Sequence, residues 1–486
     1  MKRPLKILFA SPEVHPFAKV GGLGDVAGAL PRALRELGHD VRVILPKYRK
    51  VEKVGRPIRP IHQKLAVPVG PKILTGTLHE GRLGRSVPVY FIEQDALFDR
   101  EGIYDDAQGA YPDNPERYIF FCRTVLETCR AVGFQPDIIH CNDWATGLIP
   151  VYLKTLYAGD PFFDRTRTMF SIHNLGYQGN FTPRVLATAH LPLSLFTPEG
   201  IEFYGAFSFM KAGLVYADVL TTVSKTYCRE IQTPDHGFLM DGVLRHHKGK
   251  LFGILNGVDY GEWDPRTDTH IKARYTSRSP GGKQACKRSL MRQLSFKDET
   301  RPIIGMVTRL THQKGIDLLQ ESFDKLMTLD AAVAILGSGD AVYEQFLEAQ
   351  NRIHPDRFHY VRGFNEKLAH QMIAGSDLLL MPSLYEPCGL TQMYALRYGT
   401  IPVVHRSGGL ADTVKAFSPG KGRGTGFLFQ PAETAPLLTC LNRALKAYRN
   451  PKAWRVLMQN GMQADFNWDK AAQNYIKRYR AVLKKS

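Results

Sequence analysis

The chain runs to 486 residues, more than one ordinary hydrophobic core accommodates, so two or three domains are expected. Hydrophobic residues at 44% and charged residues at 23% describe a globular chain and exclude a disordered one. The formal charge of +18 is spread along the sequence without a recognisable reading module. That argues against a nucleic-acid partner and for an anionic small substrate or a solubilising surface.

Met1-Lys2-Arg3-Pro4 is basic, but the apolar run Leu5–Ala10 is too short to span a membrane. It meets Ser11-Pro12-Glu13 rather than a cleavage site, so it is expected to be a first buried strand, not a signal peptide. No long apolar run follows, and no membrane partner is expected. The seven Cys residues are odd in number and form no CxxC pair, which fits a reducing cytoplasm.

In chain order, Lys6–Ala10 reads as a strand and Leu23–Leu37 as a helix, with Gly38 closing it. Val41–Leu45 is the next strand. Between Ile58 and Ile92 short apolar runs alternate with Gly and Pro, the pattern of hairpins inserted in the sheet order. Tyr118–Ala131 has helical periodicity, and Asp137–His140 is a buried strand leading into Asn142-Asp143-Trp144. Thr168–Ile172 enters His173-Asn174, and a helix end and a strand follow towards Ser224. After a boundary near Asn256-Gly257-Val258-Asp259 the pattern restarts. Strands are expected at Pro302–Val307, Ala331–Leu336, Phe358–Arg362, Leu378–Pro382 and Ile401–His405, and helices at Gly315–Leu326 and Gly389–Tyr398. Trp468–Leu483 is an amphipathic helix with Ala472, Tyr475, Ile476 and Tyr479 at helical spacing. Strand–turn–helix repetition predicts an α/β fold of two doubly wound domains, with ligands beyond the C-terminal ends of the strands. The divisions are 1–255, 256–463 and 464–486. The last segment is expected to pack back on the N-terminal domain, its own domain being the alternative.

Two half-sites carry the chemistry. In Lys19-Val20-Gly21-Gly22-Leu23-Gly24-Asp25, glycines let backbone approach a ligand and the helix start offers N–H groups to an anion, with Lys19 as a mobile charge. A glycine turn beside a surface lysine is the alternative. The spacing is not the dinucleotide fingerprint, and no phosphate-loop lysine and hydroxyl end the loop. In Arg309-Leu310-Thr311-His312-Gln313-Lys314-Gly315, two cations leave a buried strand within one short turn, which is costly unless an anion joins them. Together the loops suit a diphosphate in a cleft between two domains. Glu386, between an apolar strand and Pro387, is an acid suited to sugar hydroxyls and an oxocarbenium-like carbon, and Gly389-Leu390-Thr391 opens a helix as a second anion nest. His173 and Asn174 are expected near Asp143. No zinc spacing is present, Asp105-Asp106 reads as a wet loop, and Cys141 and Cys388 read as packing thiols.

These motifs closely resemble the bacterial glycogen synthases and plant starch synthases over nearly the whole chain. The blocks are Lys19–Val26, Ser171–Gly179, Asn256–Asp259, Arg309–Gly315, Tyr385–Gln392 and Ser407–Val414. The resemblance implies a GT-B type fold, two Rossmann-like domains facing a central cleft, the first on the acceptor side and the second binding the nucleotide sugar. It implies transfer of glucose from ADP-glucose to the non-reducing end of glycogen or another α-1,4-glucan primer, with retention, and no cofactor or metal. Glu386, His173, Arg309 and Lys314 match the catalytic set. Gly22, Arg309, Lys314 and Gly389, Leu390 and Thr391 match the diphosphate site, Lys19 and Asp25 donor contacts, and Tyr104 and Asp143 the sugar side with Asn256 nearby. Phe364 sits where an aromatic ring meets the adenine. Two departures stand out: many relatives have His where this chain has Asn142, and Tyr394 stands where a general second Glu would be. A glucan phosphorylase, which needs pyridoxal phosphate on a lysine, and a weakly catalytic glucan-binding scaffold are the rival readings.

Overall fold

The computed structural model describes residues 3–298 and 300–484. Met1 and Lys2, part of the basic terminus noted above, lie outside the described residues, as do Glu299, Lys485 and Ser486. The chain forms two compact units, Met1–Gly257 together with Trp468–Ser486, and Val258–Asn467.

The first unit is built on β1 (Lys6–Ala10), β2 (Asp40–Pro46), β3 (Arg59–Val69), β4 (Lys72–Leu83), β5 (Val87–Glu93), β6 (Ile138–Asn142), β7 (Arg167–Ile172), β8 (Val219–Thr222) and β9 (Leu251–Gly253). They form one sheet in the order β9-β8-β7-β6-β1-β2-β5-β4-β3. From β9 to β5 every pairing is parallel. β4 runs antiparallel to both its neighbours, so the Gly- and Pro-punctuated stretch becomes two long edge strands and a return. Ile7, Leu8, Phe9 and Ala10 are all buried, as a central strand covered on both faces requires.

Helix α1 (Gly22–Glu36) turns Leu23, Val26, Ala27, Leu30 and Leu34 inward at helical spacing. Gly38, at φ +85°, ends it, donating its N–H to Arg35 O. Helix α2 (Asn114–Ala131) starts a full turn before the expected Tyr118, because Pro115 lies in its first turn, where a fixed φ favours initiation. The C-terminal helix Trp468–Val482 belongs to this unit and packs on α1. Its Tyr479 hydroxyl lies 2.7 Å from His140 Nδ1 on β6. His140 Nε2 meets Ser171 Oγ at 2.6 Å, and Ser171 Oγ meets Thr221 Oγ1 at 2.5 Å, so one buried chain of hydrogen bonds ties the helix to β6, β7 and β8.

The second unit holds β10 (Ile303–Val307), β11 (Ala332–Gly337), β12 (Phe358–Arg362), β13 (Leu378–Met381), β14 (Ile401–His405) and β15 (Phe427–Phe429), all parallel, in the order β12-β11-β10-β13-β14-β15. Apolar residues of β10, β11, β13 and β14 pack with Leu319 and Phe323 of α3 (Ile316–Met327), each such side chain contributing about 1.5–3 kcal/mol on burial. Helix α3 begins one residue later than expected, since Gly315 adopts a left-handed φ of +71° after a short turn over His312–Lys314. A Cβ at Gly315 would stand 2.2 Å from Pro382 O, so only glycine fits. Helix α4 (Thr391–Arg397) is shorter than the expected Gly389–Tyr398 for the same reason: Gly389 has φ +68° and cannot be helical.

Both sheets are therefore doubly wound, and each has a switch point where successive strands leave in opposite directions. In the first unit it lies between β1 and β6, and in the second between β10 and β13. The loops after these four strands hold Glu13–Gly21, Asp143–Trp144, Arg309–Gly315 and Ser383–Gly389.

Candidate functional site

In the first unit the glycine-rich loop folds on a carboxylate of its own. Glu13, 5% exposed, follows β1. Its Oε2 accepts from Val20 N at 2.6 Å and Gly21 N at 3.0 Å, and its Oε1 accepts from the Tyr104 hydroxyl at 2.9 Å. Burial pushes the Glu13 carboxyl above the ordinary range, with the two N–H groups and the phenol partly offsetting and the nearby Asp25 charge adding to the rise. The helix start is the segment expected to offer N–H groups to an anion, and the two N–H groups just before it are used internally. Val20 and Gly21 are committed to Glu13, and Gly22, exposed at the first position of α1, follows them. Lys19 Nζ lies 2.5 Å from Asp25 Oδ1, so these two candidate residues pair with each other.

Tyr104 stands in an aromatic cluster with Tyr118 and Trp144. The adjoining Asp105–Asp106 is exposed and pairs with Gly109–Ala110 as a small hairpin. Among the described residues no group of three or more His, Cys, Asp or Glu could hold a metal ion.

Asp143 follows β6 in a left-handed conformation, φ +55°. A non-glycine residue held there costs roughly 1–3 kcal/mol and persists only when its surroundings fix it. They do: Asp143 Oδ1 accepts from His173 N at 2.6 Å, and the Asn174 N–H also bonds the carboxyl. Burial outweighs these bonds and raises the Asp143 pKa to about 8. His173, 8% exposed, is pushed down to about 3 by burial and stays neutral. His173 Nε2 meets Asn142 Oδ1 at 3.0 Å. The ends of β6 and β7 thus bring Asn142, Asp143 and His173 together, while Asn256, also in this unit, is buried with its Oδ1 accepting no hydrogen bond from the described residues.

In the second unit Lys314 Nζ lies 2.6 Å from Glu386 Oε2, and Ser383 Oγ donates to the same oxygen at 2.9 Å. Glu386 is 6% exposed. Its backbone is braced by the loop after β14, since Glu386 N donates to Ser407 Oγ and Gly409 N donates to Glu386 O. Leu384 N donates to Gln313 O, and Gln313 Nε2 to Tyr385 O, stitching the loops after β10 and β13 across the switch point. The half-buried Lys314 and the buried Glu386 neutralise each other, so Lys314 has an internal partner where an external anion was expected to be its counter-charge. Arg309 is half-buried on the same loop. Gly389, Leu390 and Thr391 lie at the start of α4, where the Gln392 amide donates to Cys388 O, Gly389 O and Thr413 Oγ1 and ties down the turn. Phe364, just past β12, is 76% exposed. Cys141 and Cys388 are buried.

Sequence reasoning missed Glu13, Ser383 and the bracing by Ser407. Glu13 carries the signal that singled out Glu386, an acid just past the C-terminal end of a buried strand beside the switch point. Ser383 and Ser407 carry none, since a serine after a strand is ordinary until its partner is known.

Comparison with known proteins agrees with this architecture. Residues 6–246 match the family described as starch synthase catalytic domain, and residues 287–456 match glycosyl transferases group 1. The chain is 47% identical over 480 residues to the glycogen synthase of Syntrophotalea carbinolica, covering 99% of each protein. It is 46% identical to that of Desulforudis audaxviator, covering 99% of this chain and 97% of the other. The catalytic domain of starch synthase IV from Arabidopsis thaliana, solved bound to ADP and acarbose, superposes with a TM-score of 0.92 at 31% identity, covering 99% of this chain and all of that one. With similarity running the full length of both units, the chain belongs to the glycogen synthase family of GT-B glycosyltransferases.

Proposed function

We propose that this enzyme is a retaining hexosyltransferase that moves glucose from ADP-glucose to the non-reducing end of glycogen or a related α-1,4-glucan. The observation that carries the reading is the part-buried Lys314–Glu386 pair at the second unit's switch point, within a chain so similar to glycogen synthases. The starch synthase IV domain bound to ADP supports adenine as the donor base.

In this reading Arg309 and Lys314 hold the diphosphate, together with the Gly389, Leu390 and Thr391 turn and Gly22. The leaving group gains negative charge as the glucosyl bond breaks, so fixed cations favour the transition state over the ground state. Glu386 accepts sugar hydroxyls and balances positive charge at the anomeric carbon. Phe364 offers a flat apolar face to the base, Lys19 and Asp25 contact the donor, and Tyr104, His173, Asp143 and Asn256 serve the sugars. Departure and attack on one face of the sugar give retention without a covalent enzyme ester. A carboxyl that keeps its proton as tightly as Asp143 is a poor nucleophile, which supports that route. The cations meet the charge requirement of the diphosphate, so the reading calls for no metal or cofactor. The seven cysteines, six of them buried, support a cytoplasmic setting.

Competition among ADP-, UDP- and GDP-glucose with a malto-oligosaccharide acceptor tests the reading. ADP-glucose should be used preferentially and lengthen the acceptor through new α-1,4 links. Preference for another nucleotide would reject the donor assignment, and a trapped glucosyl ester on Glu386 or Asp143 would reject the one-face route.

A further inference from the structure

Asn142 occupies the last position of β6 and is fully buried. Its Nδ2 donates to Ala10 O at 2.9 Å and to His140 O at 3.3 Å. Both amide protons are therefore used on carbonyls of β1 and β6. A flipped amide would set its oxygen against those two carbonyl oxygens, so the network itself assigns the orientation. The remaining atom, Oδ1, faces His173 Nε2 at 3.0 Å. An amide oxygen only accepts hydrogen bonds, so the proton between them belongs to the imidazole. A neutral imidazole carries one proton, and with it on Nε2 the other nitrogen has a lone pair. Burial keeps the second proton away, since His173 is held far below the usual histidine range. The main chain beneath the ring is held by the His173 N–H on Asp143 Oδ1, and the ring itself is buried.

We propose that Asn142 is a positioning residue that locks His173 in the Nε2–H tautomer, so that the ring meets its ligand through Nδ1 as a hydrogen-bond acceptor. The consequence is selectivity by chemical class. Nδ1 then accepts from a sugar hydroxyl and repels a phosphate or carbonyl oxygen. This selectivity rests on the reading of His173 as a sugar-side residue, whereas the tautomer rests on the hydrogen bonds alone. A histidine in place of Asn142 would offer His173 either a donor or an acceptor and leave the tautomer open.

Nitrogen-15 NMR of the full-length, histidine-labelled protein without substrate tests the tautomer, with His173→Gln identifying the resonances. Wild type should show a pyridine-type Nδ1 and a pyrrole-type Nε2. Asn142→Ala should give averaged shifts from a tautomer mixture. Asn142→Asp has the same shape and should hold a second proton on the ring, making both nitrogens pyrrole-type near neutral pH. A protonated Nδ1 in wild type, or shifts unmoved in both variants, would overturn the lock. In the transfer assay Asn142→Asp should lower kcat/KM about tenfold or more, as expected for one inverted hydrogen bond. Full activity with an altered tautomer would overturn the selectivity. Failure to transfer glucose from any nucleotide donor would count against the enzymatic reading and the selectivity built on it, and the NMR result would still decide the tautomer.

Discussion

Lys314 Nζ lies 2.6 Å from Glu386 Oε2, so the cation assigned to the donor phosphates and the acid assigned to its sugar are each other's partner within the second unit. A phosphate arriving at Lys314 must share or replace this contact. The pair holds both side chains in defined positions at the switch point, and Ser383 fixes which carboxylate oxygen is used.

Replacing Glu386 by Ala is expected to lower kcat by about 10²–10⁴-fold, the range for losing a positioned charged group. The far-ultraviolet circular dichroism should be unchanged. Lys314→Met should weaken donor binding and destabilise the unit by about 1–3 kcal/mol, because Glu386 keeps its burial and loses its counter-charge. Normal turnover in folded Glu386→Ala would reject its assigned role.

Glu13→Ala should free the glycine-rich loop, since Val20 N–H, Gly21 N–H and the Tyr104 hydroxyl all lose one acceptor. Hydrogen exchange at Val20 and Gly21 should accelerate, with a loss of about 1–3 kcal/mol in stability. Tyr104→Phe added to Glu13→Ala should cost less than the sum of the single changes, because the two residues share a hydrogen bond. Additive losses would show that they act independently.

Asp143→Asn should stabilise the fold while impairing transfer. Asn retains an oxygen for the His173 and Asn174 N–H groups and removes the cost of protonating the carboxyl on folding. The carboxyl titrates at about 8 when folded against 3.8 ordinarily, so the folded state binds the extra proton between those values. Asp143 therefore makes wild type lose stability as pH rises through that window. The gap in Tm between variant and wild type should widen from pH 4 to pH 8 and then level off. A gap independent of pH would refute the buried-carboxyl account.

Tyr479→Phe should loosen the C-terminal helix without touching the candidate site residues. His140 is fully buried, and losing the phenol leaves its Nδ1 without that partner, for about 1–3 kcal/mol. Chemical denaturation should report that loss, and amide exchange along 468–482 should rise. Unchanged stability would mean that apolar packing of Tyr475 and Tyr479 alone docks the helix.

Strands were legible where they are central. Lys6–Ala10 and Ile401–His405 fall where the apolar runs place them, because an interior parallel strand covered on both faces is apolar along most of its length. Boundaries slipped where backbone conformation rather than burial decides, as at Gly315 and Gly389, whose left-handed φ values delay α3 and α4. The glycine-rich loop shows the same limit in chemistry. Its glycines were visible, but the acid that binds the Val20 and Gly21 N–H groups was not, since Glu13 is six residues before Lys19 and its carboxyl arrives only when the loop folds back.

By itself the sequence determined the fold class and the family, because periodic burial and the runs of glycine, lysine and acid are written locally along the chain. Tertiary structure alone decided which charged groups neutralise one another and which hydrogen-bonding face each side chain presents. Lys314 and Glu386 are 72 residues apart, and Asn142 and His173 are 31 apart. Pairings at that range depend on strand order, which brings the ends of distant strands together at the switch points. Once buried there, a polar atom must find a partner or carry the cost of lost solvation, and that requirement selects the pair.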